Sequence, residues 1–486
     1  MTPATVSPAG AWAGAGTTAA VAQAAAGAIT TTPAGDWLTF DYNGARSGAG
    51  PAATGITPAN LKRLKRQSVQ IDGTVDSSAV ALGGAVIMGA RHDAFFVTTS
   101  YGRTLAVNAV NGRTLWEYAP ASARRLSGSA QITNSTPLID PDLRYIYTTS
   151  PDGFVHKLSV ASGRQLWSTR VTWLPSHEKL AGALNLDDGQ LVVVTDGYDG
   201  DAPPYQGHVV TIDPDSGQIT HVFNTLCSNV RHLIRSPAGC SGSDSAIWGR
   251  PGSVIEPDGR ILVATGNGPF NGHTNWGDSV LELSPNLRLL HNWTPDNQQQ
   301  LNSDDLDLGS TEPALLPATG SVPLAVQGGK SGILQLLDLD RLDGTAGAAG
   351  PRAGGELQSI AAPGPVDVFS QPAVWRSGTR TLVFVADPAG TAAYALVHGR
   401  LRLAWKDGSA GTSPLIAGGL LYVYDMNAGV LNVRNPRTGR LYASLPAAPG
   451  HWNSPIVVGG RIILPVGDAN SHLGSGTIEV YRLPGR

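Results

Sequence analysis

A chain of 486 residues carrying 60 glycines and 34 prolines, spread along its whole length, leaves no room for long helices. Only 15% of its residues are charged and 41% are hydrophobic, which excludes a helix bundle, a coiled coil and wholesale disorder, and argues against an α/β fold. A net charge of −3 is nowhere concentrated, and the one basic run, Lys62–Arg66, is short enough to be a surface strand, so no nucleic-acid face is expected. No apolar stretch reaches the ~18 residues that a membrane span requires.

Residues 1–35 are uncharged and rich in Ala, Gly, Thr and Pro. They lack the basic start and Leu-rich core of a secretory signal, although Ala22-Gln23-Ala24 resembles a cleavage site. The segment reads as a truncated signal or flexible leader, and residues 36–486 as one folded domain.

Within that domain a unit repeats. Residues 102–116 give a strand, a turn closed by Gly112 and a second strand ending in Trp116. Copies follow at 153–167, 207–223, 277–293, 332–339, 390–405 and 429–445, and an incomplete one at 476–481, eight in all. Ser135-Thr-Pro137, Ser310-Thr-Glu-Pro313, Ser370-Gln-Pro372, Ser413-Pro414 and Ser454-Pro455 each open a short apolar strand. About four strands in ~40–60 residues is the signature of a propeller blade. The expected fold is therefore all-β, an eight-bladed propeller of four-stranded antiparallel blades. The last copy stops after its inner hairpin, so its outer strand should come from residues 56–70, closing the ring. Trp116, Trp167, Trp293 and Trp405 should wedge between neighbouring sheets.

Cys227 and Cys240 lie 13 positions apart in a Ser/Gly/Pro-rich stretch. They either close one loop disulfide, which would fit an oxidising compartment, or remain two thiols. They cannot make a structural zinc site alone, and no haem-attachment motif occurs. Gly328-Gly-Lys-Ser-Gly332 fails as a phosphate loop because Leu324 replaces the required glycine. There is no G-x-S-x-G elbow, and His177-Glu178 has no second histidine at metalloprotease spacing. His451-Trp452 and His273 fall in expected loops without an assignable role.

The repeat G-x-L-x-A-x-x-x-x-x-G-x-x-L-W resembles the tryptophan-docking signature of the quinoproteins, propeller dehydrogenases that use pyrroloquinoline quinone (PQQ). The resemblance covers residues ~36–486 and includes Trp37, Phe40, Asn43, Arg46 and Ile56–Leu61 at the opening. It implies Trp248 as the platform under the quinone, Asn267 of Thr265-Gly-Asn267 as a calcium ligand, Asp307 as the catalytic base and metal neighbour, and Lys330 as a cofactor-contacting cation. Such roles are chemically apt: a planar ring stacks on an aromatic face, calcium takes oxygen ligands, and a fixed cation stabilises a reduced quinone. Each residue also has a plain structural alternative, as packing, turn or surface. Two departures stand out. The adjacent cysteine pair of the family's alcohol dehydrogenases is missing, and no Glu stands where their calcium ligand should be; Asp196, Asp199 or Asp201 is left to replace it.

Two functions follow as expectations. One is an exported PQQ-type dehydrogenase that binds PQQ and calcium, oxidises an alcohol or sugar-like small molecule, and passes electrons to an external acceptor. The other is a cofactor-free propeller that binds or scaffolds a protein partner, as in outer-membrane assembly lipoproteins, whose lipobox cysteine has no counterpart here. A hydrolase or lyase on the same ring is a third.

Overall fold

Strand order within a repeat decides burial. The second and third strands of each sheet are packed on both faces and read as nearly unbroken apolar runs, as in Leu420–Asp425, where five of six residues are buried. The fourth strands are peripheral, as in Arg400–Asp407, where one of eight residues is buried. The computed structural model describes residue 1 and residues 35–235, 237–317, 322–342, 353–364 and 366–485. Of the expected leader, residues 1–35, residues 2–34 lie outside the described residues.

These residues form eight four-stranded antiparallel sheets. Blade 1 runs from Val80–Ile87 to Thr114–Tyr118, blade 2 from Leu138–Ile139 to Gln165–Arg170, and blade 3 from Asn185–Asp187 to Ile219–Asn224. Blade 4 runs from Val254–Ile255 to Leu289–Trp293, blade 5 from Ala314–Leu316 to Gln358–Ala361, and blade 6 from Ala373–Ser377 to Arg400–Asp407. Blade 7 runs from Leu415–Ala417 to Leu441–Pro446. Blade 8 comprises Ile456–Val458, Arg461–Val466 and Ser475–Arg482, with Lys65–Asp72 as its outer strand. That strand pairs from Lys65 against Arg482 to Asp72 against Ser475. It starts later than the sequence suggests because Asn60 Oδ1 accepts from Thr57 N at 2.8 Å, folding residues 57–60 into a turn.

Blades dock through tryptophan and glycine together. Trp116 Nε1 donates to Val160 O of the next blade at 2.8 Å, Trp167 Nε1 to Pro214 O at 3.0 Å, and Trp405 Nε1 to Pro436 O at 2.9 Å. The indole faces lie on the turn glycines of those blades: a Cβ on Gly163 would stand 2.6 Å from the Trp116 ring. Gly163 also has φ +67°, so the turn requires glycine twice over. Trp293 also wedges between two sheets, as expected, but from a different register. The partner of Glu282 in the ladder is His291, so the docking position in blade 4 belongs to a histidine and Trp293 lies two residues beyond it. Trp293 is buried among Leu337, Leu339 and Leu342 of blade 5, and among the described residues its indole N–H has no hydrogen-bond partner.

The segment before the first blade threads the channel, pairing with the innermost strands. Trp37 bridges Ala81 in blade 1, Leu38 O accepts from Ile139 in blade 2, and Gly44 O from Ile255 in blade 4. Ser47 O and Gly48 O accept from Val374 and Ile416 in blades 6 and 7. Arg46, wholly buried, donates to Thr39 Oγ1 at 2.6 Å, Phe40 O at 3.0 Å, Leu184 O at 2.8 Å, Ala183 O at 3.2 Å and Ser253 O at 3.3 Å. Burial pushes its guanidinium down to about 9, against the pull of Asp41 and Glu312.

Candidate active site

The residues just upstream of the inner strands, together with the loops joining second and third strands, enclose a cavity of about 630 Å³. It is lined by seven aspartates and only three cations, Lys179, Arg250 and Lys330. Each cation is tied to a carboxylate: Lys179 Nζ lies 3.1 Å from Asp196, Arg250 Nη2 3.0 Å from Asp76, and Lys330 Nζ in close contact with Asp307.

The four residues singled out by the resemblance share this cavity. Asp307 sits at the start of the short turn Leu308–Ser310, and its Oδ1 accepts from Asn267 N at 2.5 Å. Gly266 permits that approach, since a Cβ there would stand 2.5 Å from the same oxygen and 3.1 Å from Trp248 Nε1. Lys330 Nζ lies 3.2 Å from Asp305 Oδ1 and 5.4 Å from the centre of the Trp248 ring. Burial lifts the Asp307 carboxyl above the ordinary range, with Lys330 and the Asn267 N–H opposing it. Burial works against charge on Lys330, but Asp307 more than compensates and holds its ammonium above the usual value. Behind them Asp278, raised to about 8 by burial first and by Asp307 also, accepts from Leu308 N at 3.1 Å.

Trp248 is the first of a row of aromatic rings. Phe369 stands 5.7 Å from it, Trp452 4.8 Å from Phe369, and His451 5.7 Å from Trp452. The sequence assigned no role to His451-Trp452 and did not single out Phe369, Asp76 or Arg250. A signal existed for Phe369: at two of the repeated serines the preceding residue, Asn134 before Ser135 and Phe369 before Ser370, lines the cavity.

The acidic donors expected to hold calcium are otherwise engaged. Asp307 gives both oxygens to Lys330 and Asn267, and Asp201, at the rim, accepts from Tyr205 OH at 2.6 Å. Asp196 is bound to Lys179, and burial raises it to about 6. Among the described residues, the three His, Cys or acidic ligand atoms that lie within 4.8 Å of one another belong to Asp76, His451 and Asp468. Asn267, Asp307 and Asp201 thus do not form a calcium site as arranged, because calcium needs six or more oxygens. A planar, oxygen-rich ring system does suit the cavity, with Trp248 as an aromatic face and Lys330 as a donor at its edge. The adjacent cysteine pair has no counterpart among the residues lining the cavity. Cys227 and Cys240 are joined in a disulfide, in the loop after blade 3.

Fold and site together define a propeller with a polar, aromatic-walled cavity at its axis. A family model described as outer membrane protein assembly factor BamB matches residues 72–219 and 140–282. Polyvinylalcohol dehydrogenase from a Pseudomonas sp is 24% identical over 318 residues, covering 59% of this chain and 46% of that protein. Quinohemoprotein alcohol dehydrogenase ADH IIB from Pseudomonas putida is 24% identical over 225 residues, 41% of this chain and 32% of that one. The chain thus spans less than half the length of these curated relatives. The crystal structure of quinohemoprotein alcohol dehydrogenase from Comamonas testosteroni superposes with a TM-score of 0.68 over 93% of this chain and 81% of that one, at 15% identity. The chain is thus similar to the PQQ dehydrogenase-like β-propellers in fold and in sequence.

Proposed function

We propose that residues 36–486 form a single dehydrogenase domain that binds a PQQ-type quinone on Trp248 and oxidises a hydroxylated small molecule, electrons leaving to an external acceptor. One observation carries this: Trp248, Lys330, Asn267 and Asp307 meet in one cavity as aromatic face, fixed cation, anchoring amide and acid–base carboxylate. When bound, the quinone supplies a two-electron acceptor. Lys330 donates to oxygen at the ring edge, and the buried Asp307 holds the proton taken from the substrate. The names of the relatives, alcohol and polyvinylalcohol dehydrogenases, support hydroxyl oxidation. Calcium has no part in this proposal, because its donors are not assembled. The disulfide supports work outside the cytoplasm. Among the described residues no helix is long and apolar enough to cross a membrane.

The test mixes purified protein with PQQ, with calcium or with EDTA, and follows absorbance and thermal midpoint. Saturable uptake should raise the midpoint, ~2.7 kcal/mol of stabilisation at 100 times Kd. Trp248→Ala and Lys330→Ala should each weaken uptake at least tenfold, and EDTA should change little. Absence of uptake, or uptake indifferent to Trp248→Ala, refutes the proposal and favours a binding or scaffolding propeller, the role named by the matching family model.

A further inference from the structure

A second acid–base assembly faces the same cavity, at the far end of the aromatic row from Lys330. The Asp76 side chain is fully buried. Its Oδ1 accepts from Arg250 Nη2 at 3.0 Å, and its Oδ2 accepts from His451 Nδ1 at 2.8 Å and from Ala469 N at 3.1 Å. Burial opposes ionisation of Asp76, yet Arg250 and His451 together hold its carboxyl below the ordinary range. Nδ1 of His451 faces a carboxylate, which only accepts, at 2.8 Å and a guanidinium, which only donates, at 3.3 Å; the shorter contact assigns the ring proton to Nδ1, and Nε2 of that tautomer is left with a lone pair. Among the described residues no hydrogen bond reaches Nε2, while the ring lines the cavity with its side chain 25% exposed. The loop is pinned as well: His451 N donates to Asn453 Oδ1 at 3.0 Å, and Asn453 Nδ2 to Val75 O at 2.9 Å.

Asp76, His451 and Asp468 have the spacing of a metal site. A cation already stands there, however. Arg250 Nη2 is 3.3 Å from His451 Nδ1, and both oxygens of Asp76 are taken. What remains is an imidazole oriented by a buried carboxylate.

We propose that His451 is a second proton-accepting catalytic residue of this cavity, with Asp76 as its positioning residue. This rests on reading the cavity as an alcohol-oxidising site. The substrate O–H bond breaks and its proton forms an N–H bond at Nε2. The hydrogen on carbon leaves with its electron pair to the organic quinone, and a carbonyl remains. The charged groups facing the ring are Asp76, Asp468 (Oδ1 3.8 Å from Nδ1) and Arg250; the two carboxylates stabilise the imidazolium and the guanidinium opposes it. Asp307 can take a substrate proton only by releasing Lys330 or Asn267, so the two bases are alternatives for the one proton, and His451 is the one with an open position.

His451→Gln keeps hydrogen-bonding capacity but cannot titrate. The variant and the parent, each incubated with PQQ, would be assayed on 2,4-pentanediol with an artificial dye acceptor, quinone uptake being read separately by absorbance. Uptake should be unchanged, kcat should fall ~100–1000-fold, and the acid limb of kcat/KM against pH should vanish. Uptake with kcat and acid limb retained overturns the proposal and leaves the dehydrogenase reading standing. If the parent takes up no quinone, that reading fails, and nitrogen NMR of His451 decides the proposal alone. An Nδ1–H tautomer whose Nε2 signal moves on adding 2,4-pentanediol supports it; an Nε2–H tautomer or an unmoved signal overturns it. Asp76→Asn should mix the two tautomers in the same spectrum, which a merely structural Asp76 would not do.

Discussion

Gly163→Ala tests whether tryptophan docking, rather than turn geometry alone, makes glycine necessary between blades. Gly163 has φ +67° and a Cβ there would lie 2.6 Å from the Trp116 ring; Gly189 has φ +73° and nothing within 4 Å. Alanine at either site meets the left-handed backbone penalty of ~1–2 kcal/mol. Only at position 163 does it also force a methyl into an indole, an overpacking cost of ~1–3 kcal/mol. Gly189→Ala should therefore lose ~1–2 kcal/mol and Gly163→Ala ~2–5 kcal/mol. Urea unfolding followed by far-UV circular dichroism measures both, with equal m-values as the condition for comparing midpoints. In a Trp116→Ala background the cost of Gly163→Ala should fall to that of Gly189→Ala. Equal losses at the two glycines, within ~0.5 kcal/mol, would show that the docked ring imposes no steric demand.

Arg46→Met should destabilise by ~3–5 kcal/mol in the same assay, because it strips five hydrogen bonds from buried acceptors in the channel. Replacing Cys227 and Cys240 by serine should cost ~3 kcal/mol if the loop unfolds with the ring; limited proteolysis shows whether it opens locally first. Asp278 has its carboxyl raised to about 8, chiefly by burial, so it binds a proton more tightly folded than unfolded. Its stabilising contribution is complete below about pH 4 and is lost as pH rises through about 8. Asp278→Asn should flatten the fall of stability over that window, only partly, because Glu256, also raised to about 8, keeps its own slope.

Propeller architecture was legible because each blade writes the same local rules into the chain: alternating strands, a turn glycine, an indole at the end. Where a blade breaks the rule the reading slipped. His291 holds the docking position in blade 4, and the nearby Trp293 drew the eye because residue type is visible in sequence while ladder register is not. The site was half legible. Trp248, Asn267, Asp307 and Lys330 come from the fourth and fifth repeats and follow one another in family order. Asp76 stands 375 residues from His451, and Phe369 comes from a third loop; closure of the ring brings Asp76 to the others. Ion pairing was invisible too: Lys330 and Asp307 are 23 positions apart, and nothing in either neighbourhood marks them as partners.

Closing the last blade with a strand from the start of the chain gives the protein an order in time. Lys65–Asp72 leaves the ribosome about 400 residues before Ser475–Arg482, a wait of roughly 20–80 s at ~5–20 residues per second. Throughout that interval the early strand has no partner, and the growing arc of blades exposes a raw flank at each end. The sequence meets this hazard on the strand itself. Lys65, Arg66 and Gln67 begin it, and Gln70 and Asp72 alternate with Val69 and Ile71, so the waiting edge is charged and unattractive to other strands. Glu479 then meets Arg66 and Ser68 when the final strand arrives. A translation pause or a stop before residue 475 would leave this protein as an open arc, and its quality control would have to recognise that arc by its two unjoined ends.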